Sequence, residues 1–85
     1  MSIHRHKYTS ETVACLRGRV VEEFFDELER MRTDSIVLSP GGPNVAVNIP
    51  ATQWHRIQAL ESGSVVLTCK DGAYEPIGAE DILSL

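Results

Sequence analysis

Hydrophobic residues in the first half of the chain recur at helical spacing. The stripe that they form consists of Val13, Leu16, Val20, Phe24, Leu28 and Met31. Residues three or four positions apart lie on one face of an α-helix. Gly18 interrupts the run at a cost of about 1 kcal/mol relative to Ala, so the helix could begin only after it. The pattern therefore predicts an amphipathic helix that ends near Thr33, and it leaves residues 12–16 open between helix and strand.

The middle of the chain changes to a strand pattern. Residues 35–38 form a run rich in β-branched side chains, and the Ser-Pro-Gly-Gly-Pro segment of residues 39–43 ends it as a loop. After the loop, Val45, Val47 and Ile49 alternate with smaller or polar residues. Alternation places these three side chains on one face of a strand. Two consecutive strands are thus expected between residues 35 and 49.

A second helix is predicted directly after these strands. Pro50 suits the first position of a helix, where its missing N–H has no intrahelical partner to lose. Trp54, Ile57 and Leu60 then fall at helical spacing, and Gly63 is a typical residue after a helix C-terminus. We expect this helix to carry its three apolar residues towards the core.

The last third of the chain has the pattern of a β-hairpin. Val65, Leu67 and Cys69 alternate, and the Asp71-Gly72 pair is typical of a type I′ turn because both central residues need positive φ. A return strand over residues 73–77 and a last helical turn within residues 79–85 complete the prediction.

The fold class expected from these elements is α+β. A short strand within residues 3–8 comes first, so the order is β-α-β-β-α-β-β in one small domain of residues 1–85. Residues 1–33 form its N-terminal arm and amphipathic helix.

Length and composition point to a self-associating protein of the cytoplasm. A chain of 85 residues buries only about 60% of its unfolded surface, so self-association would add stability. The two cysteines, Cys15 and Cys69, are far apart and are expected as free thiols. No run of about 20 apolar residues predicts a membrane span, and the N-terminus lacks the apolar stretch of a signal peptide. We therefore expect a cytoplasmic homodimer.

The charge distribution limits where a polyanion could bind. The net charge is −4, and residues 34–85 contain only two of the eight basic residues. Lys and Arg contacts to phosphates supply most non-specific affinity for nucleic acids. The candidate nucleic-acid-binding residues are therefore in the first third of the chain: Arg5, Lys7, Arg17 and Arg19.

Catalytic and metal chemistry have little support in the sequence. No serine or cysteine lies in a nucleophile motif, and two of the three histidines, His4 and His6, fall in a terminal arm apart from His55. A free amine at Ser2 would make Ser2-Ile3-His4 a possible Cu(II) or Ni(II) ligand, but such termini arise by chance. We expect no catalytic residue, no metal site and no cofactor, and hence a protein that is not an enzyme.

Residues 35–78 resemble the SpoVT-AbrB/MazE family of bacterial DNA-binding regulators and antitoxins. The match consists of Ala46-Val47, the Ile-Pro-Ala-Thr segment of residues 49–52, Leu60, Gly63, Val66, Asp71-Gly72 and Pro76. It covers about half of the chain. The resemblance implies a dimeric swapped-hairpin barrel, here with an added N-terminal helix, and a protein that binds operator DNA or a toxin.

The chain departs from this family where the family contacts DNA. Ser39-Pro40 and Asn48 stand where the family usually has a basic or aromatic residue and an arginine around the first hairpin, and about seven residues remain after the barrel for a toxin-binding tail. Residues 3–60 also resemble the Phd/YefM antitoxins, through residues 43–47 and 54–57. Both resemblances imply small dimeric regulators.

Two functions are thus expected. The first is a dimeric DNA-binding regulator or antitoxin. The second is an acidic protein-binding module or inhibitor, of the kind that mobile elements carry, which does not bind DNA. The family resemblance favours the first and the charge distribution favours the second.

Overall fold

A computed structural model describes residues 2–73 and 75–84, and over these residues the protein is almost entirely β. The strands are β1 Ile3–His4, β2 Glu11–Arg17, β3 Val20–Asp26, β4 Met31–Leu38, β5 Ala46–Ile49, β6 Trp54–Ala59, β7 Val65–Lys70 and β8 Ile82–Leu83. A 3₁₀-helix, Ala79–Asp81, precedes β8. No α-helix occurs in the described ranges, and none of their helical residues forms a segment long and apolar enough to cross a membrane.

The strands form two antiparallel sheets. The larger sheet has the order β4-β3-β6-β1-β8, and the smaller has the order β5-β2-β7. The chain passes from one sheet to the other at Gly18, whose φ of 79° is a backbone conformation that other residues rarely adopt. A Cβ atom on Gly18 would lie 2.9 Å from the Cα atom of Ser64, so a larger residue does not fit this corner.

The predicted N-terminal helix is wrong, because residues 20–38 form a β-hairpin. β3 and β4 pair from Val20↔Leu38 to Asp26↔Met31, and β3 pairs on its other side with β6. The helical stripe is not a buried face, since Leu28 is 92% exposed and Met31 is 53% exposed. Valine and phenylalanine in β3 favour a strand with neighbours on both sides, and this tertiary pairing overrides the helical spacing.

The predicted second helix is also wrong. Residues 54–59 form β6, which lies between β3 and β1 in the larger sheet. Trp54 packs against Phe25 and Ile3 on the outer face of that sheet, while Leu60 is exposed. Aromatic and β-branched residues suit such a central strand, and sheet pairing supplies the hydrogen bonds that a helix would have made internally.

These two corrections overturn the α+β fold class and the β-α-β-β-α-β-β order. The swapped-hairpin barrel with an added N-terminal helix is wrong for the same reason. Other elements agree with the sequence: the strand alternative for residues 12–16 is right, and strands cover residues 35–38, 46–49 and 65–70. The last turn is the 3₁₀-helix Ala79–Asp81.

The return strand predicted for residues 73–77 does not form over Ala73 and residues 75–77, and Tyr74 lies outside the described residues. β7 pairs instead with β2. Asp71 accepts hydrogen bonds from the backbone N–H and the hydroxyl of Ser10, at 2.9 and 3.0 Å. These bonds hold the Asp71-Gly72 segment against the chain that leads into β2.

The space between the two sheets has two contrasting halves. One half is an apolar core, built around Val13, Cys15, Val20, Leu38 and Ile49. The other half contains a cavity of about 300 Å³ whose polar lining is His4, His6, Glu11, Glu22, His55 and Lys70. Val66 and Thr68 of β7 also line the cavity and are exposed, so the cavity opens at this edge of the smaller sheet.

Candidate metal centre

Strand pairing brings three histidines together. His4 of β1 is directly opposite His55 of β6, and their ring centroids are 4.4 Å apart. His6 follows β1, and its ring centroid lies 5.1 Å from that of His4 and 5.7 Å from that of His55. One ring nitrogen from each histidine lies within 4.8 Å of the other two. Three imidazoles thus converge on one side of the cavity.

Backbone carbonyls orient two of these rings. Nδ1 of His4 lies 3.1 Å from the carbonyl oxygen of Ser2, and Nδ1 of His55 lies 2.9 Å from that of Gln53. A carbonyl oxygen only accepts, so each Nδ1 carries the proton, and in the neutral ring Nε2 keeps its lone pair. Histidines that ligate metals usually have such a partner for the second nitrogen.

Glu11 reaches the histidines from the opposite sheet. One carboxylate oxygen lies 3.4 Å from Nε2 of His6, and the other lies 3.5 Å from Nε2 of His55. Its interaction with His55 holds the pKa of Glu11 below the usual value despite burial. Burial opposes a charge on His55, but its bonds to Glu11 and to the Gln53 carbonyl outweigh that effect and raise its pKa. Glu11 and His55 therefore each favour the charged form of the other.

Lys70 supplies a second positive charge to this cluster. Its Nζ lies 3.2 Å and 3.3 Å from the two ring nitrogens of His6 and 3.6 Å from a carboxylate oxygen of Glu11. Burial and the Lys70 ammonium lower the pKa of His6, and burial lowers the pKa of His4. Both of these histidines are kept neutral, which is the form that binds metals.

Glu22 is a buried carboxylate without a partner. Its side chain is 1% exposed, and neither oxygen has a hydrogen-bond partner among the described residues. Burial raises the pKa of Glu22 to about 7. In the β3–β6 ladder Glu22 is opposite Ile57 and diagonal to His55, a relation that separates Cβ atoms by about 7 Å. A buried polar group without a hydrogen-bond partner needs a physical explanation, and a bound ion is one such explanation.

The donor set fits a divalent transition-metal ion. Zn–N bonds of about 2.0–2.1 Å in a tetrahedron separate neighbouring ligand atoms by about 3.3–3.4 Å. The separations of Glu11 from His6 and His55, 3.4 and 3.5 Å, are close to this value. The histidine nitrogens lie within 4.8 Å of one another, so the widest pair would have to close by up to about 1.4 Å to hold one ion. The cluster can therefore provide three nitrogens and at least one carboxylate oxygen.

The four basic residues predicted to bind nucleic acid do not form one patch. Arg5 donates to Asp81 at 2.9 Å and stacks over Trp54, and Lys7 bonds Glu80 at 2.8 Å. Arg17 is the last residue of β2 and Arg19 follows the strand, whereas Glu11 is its first residue, roughly 20 Å away along the strand. Arg19 also pairs with Glu61 at 3.6 Å. Acidic neighbours thus offset three of the four positive charges.

The sequence contains a partial signal for the histidine cluster. His4 and His6 are two residues apart, a spacing that places both on one face of an extended chain. His55 has no such signal, because its place beside His4 depends on a strand pair that joins residues about fifty positions apart. Glutamate is a residue type that is usually exposed, so the sequence gives no sign that Glu11 and Glu22 are buried. Only the fold shows it.

Comparison with known proteins provides no relative from which to transfer a function. No protein-family model matches the chain, and no curated protein or solved structure matches it either. The resemblances to the SpoVT-AbrB/MazE and Phd/YefM families stay predictions from the sequence.

Proposed function

We propose that this protein is a small metal-binding domain that holds one divalent transition-metal ion between its two sheets. His4, His6 and His55 are the proposed ligands. The observation that carries the proposal is the convergence of one nitrogen from each histidine to within 4.8 Å at the edge of a cavity. Imidazole is the commonest protein ligand for zinc, copper, nickel and non-haem iron.

The electrostatics of the cavity support a cation. Glu11 and Glu22 bring two carboxylates into the space between the sheets, and Glu22 has no hydrogen-bonding partner among the described residues. An unpaired buried carboxylate destabilises a fold unless it is neutralised. A divalent ion beside the histidines would offset this charge as well as fill the nitrogen set.

The ligand chemistry favours zinc or a similar ion over calcium or magnesium. Calcium and magnesium prefer six or more oxygen ligands, whereas this cluster is mainly nitrogen. Soft thiolate coordination is not part of the proposed set, because Cys69 is on the exposed face of β7 and Cys15 belongs to the apolar core. Zinc is therefore the probe of choice.

The test is zinc titration of the full chain against a chromophoric chelator. We expect one ion per chain, and a loss of affinity of about 100-fold or more in His6→Gln, because even groups that only support a ligand cost about 10–100-fold. Cys69→Ser is the matched control, since it removes the exposed thiol and leaves the cavity unchanged. Retained affinity in this variant is expected.

The visible absorption of bound cobalt(II) is a second test of the same site. Cobalt bound by nitrogen and oxygen should give visible absorption without a thiolate charge-transfer band. Absence of zinc and cobalt binding in the full chain would contradict the proposed function. Binding that survives His6→Gln and disappears in Cys69→Ser would contradict it equally, because the ion would then be on the surface thiol.

DNA binding by this chain stays a prediction from its sequence resemblance. The acid pairs of Arg5, Lys7 and Arg19 argue against it, and a mobility-shift assay over a salt series would test it. The homodimer, a toxin or other protein partner, and the cytoplasmic location are likewise retained only as proposals. A free, exposed thiol at Cys69 supports a reducing compartment.

A further inference from the structure

The ammonium group of Lys70 lies against two of the groups that would ligate the metal. It is 3.2–3.3 Å from both ring nitrogens of His6 and 3.6 Å from Glu11. The ammonium is about equally far from both nitrogens, so it lies against the imidazole ring of His6 and occupies space next to a proposed metal ligand. Two positive groups in this space would also repel each other strongly.

We infer that Lys70 is a built-in cation of the metal-free site, which an incoming metal ion must displace. The inference rests on the proposed function, and it adds the way in which that site is regulated. In the metal-free protein, Lys70 lies 3.6 Å from a carboxylate oxygen of Glu11 and offsets its charge. A divalent ion would take over this role, so binding would release Lys70 towards solvent.

The position of Lys70 in the fold allows this movement. It is the last residue of β7, an edge strand that pairs only with β2 in the described part of the chain. Its side chain is already 23% exposed and has a flexible four-carbon stem. The cavity opens on the same edge, beside Val66 and Thr68. The ammonium can therefore leave without a change in the sheets.

Displacement has two measurable consequences. The reactivity of the Lys70 amine should rise when metal binds, because the amine exchanges a buried contact for water. The affinity for metal should rise when the charge of Lys70 is removed, because the ion then enters without a competitor. A lysine that only stabilises the fold would do neither.

The first test is amine acylation of the native chain with and without saturating zinc, read by peptide mass. The chain has only two lysines, and Lys7 is the internal control because it bonds Glu80 outside the cavity. We expect zinc to raise acylation of Lys70 several-fold and to leave Lys7 unchanged. Unchanged or reduced acylation of Lys70 at full zinc occupancy would overturn the inference.

The second test is zinc affinity in Lys70→Gln, with Lys7→Gln as the matched control. We expect about a tenfold gain in Lys70→Gln, since a positive charge beside a dication is removed, and no change in Lys7→Gln. Zinc binding by the native chain with no gain in Lys70→Gln would overturn the inference alone. Binding by neither protein would instead contradict the proposed function. Binding by Lys70→Gln only would contradict zinc binding by the native chain and would overturn displacement, because the ion would then be unable to move Lys70.

Discussion

The two halves of the space between the sheets are built from the same strands but differ in chemistry. β2 contributes Val13 and Cys15 to the apolar core and Glu11 to the histidine cluster. β3 likewise contributes Val20 to the core and Glu22 to the cavity. Whether an inward-facing side chain is apolar or charged therefore depends on its position along the strand.

This difference separates stability from function. Burial of apolar side chains stabilises a fold by about 1.5–3 kcal/mol for each large residue. Buried charges do not, and replacing them with apolar residues is often neutral or stabilising. The apolar half contributes to the stability of the fold, whereas six titratable side chains in a domain of 85 residues need another reason. The proposed metal binding would supply that reason.

The largest expected effect is on the apolar half. Leu38 is fully buried in the core, and Leu38→Ala should lower the free energy of unfolding by about 2–5 kcal/mol through lost contacts and a cavity. Leu28→Ala, at an exposed position, should change it by less than about 0.5 kcal/mol. Urea denaturation measures both. Equal effects would mean that this half is not the core.

Zinc should stabilise the protein through the polar half. Ligands that bind only the folded state add about 2.7 kcal/mol at a free concentration of 100 times Kd. We expect this gain in the native chain and in Leu28→Ala, but not in His6→Gln at the same zinc concentration. Thermal unfolding with and without zinc is the measurement. If zinc stabilised His6→Gln as much as the native chain, the histidine cluster would not be the zinc site.

Glu22 should make the stability of the metal-free protein depend on pH. Burial raises the pKa of Glu22 from 4.5 to about 7, so its protonated form is favoured in the folded state. Its contribution is complete below pH 4.5 and is lost as pH rises through 7, where the buried carboxylate becomes charged.

Glu22→Gln removes this titration. We expect the variant to exceed the native chain in stability by about 1–2 kcal/mol at pH 8 and to match it near pH 5, after allowance for screening by water. Chemical denaturation at the two pH values measures the difference. Glu23→Gln is the control on the other face of β3, where arginines pair with the carboxylate and lower its pKa. A variant less stable than the native chain at pH 8 would show that Glu22 has a partner.

The smallest expected effect is at the boundary between the halves. Ile57 packs against the apolar core and also lines the cavity. Ile57→Val should lower the free energy of unfolding by about 0.5–1.5 kcal/mol and leave zinc affinity unchanged. Denaturation and chelator competition on the same sample measure both. A clear change in zinc affinity would mean that the two halves are coupled.

The strand predictions were more successful than the helix predictions because some segments fit both the helical period and the strand period. Residues 20–31 have apolar residues at helical spacing. In a strand, however, Val20, Glu22 and Phe24 lie on one face, because every second residue points the same way. The acidic residue Glu22 makes the inward face of this strand hard to recognise in the sequence, since charged residues are seldom buried. The segment over residues 44–49 has no buried charge, and its strand was predictable.

By itself, the sequence determined the local features of this protein: the alternation in β5 and β7, and the supply of histidines and acids. Local patterns depend on neighbours within a few residues, so the sequence shows them directly. Only the tertiary structure decided that β1 pairs with β6 and that β2 covers them from the other sheet. The pairing is between residues far apart in the chain, and it is this pairing that places His4, His55 and Glu11 around one cavity.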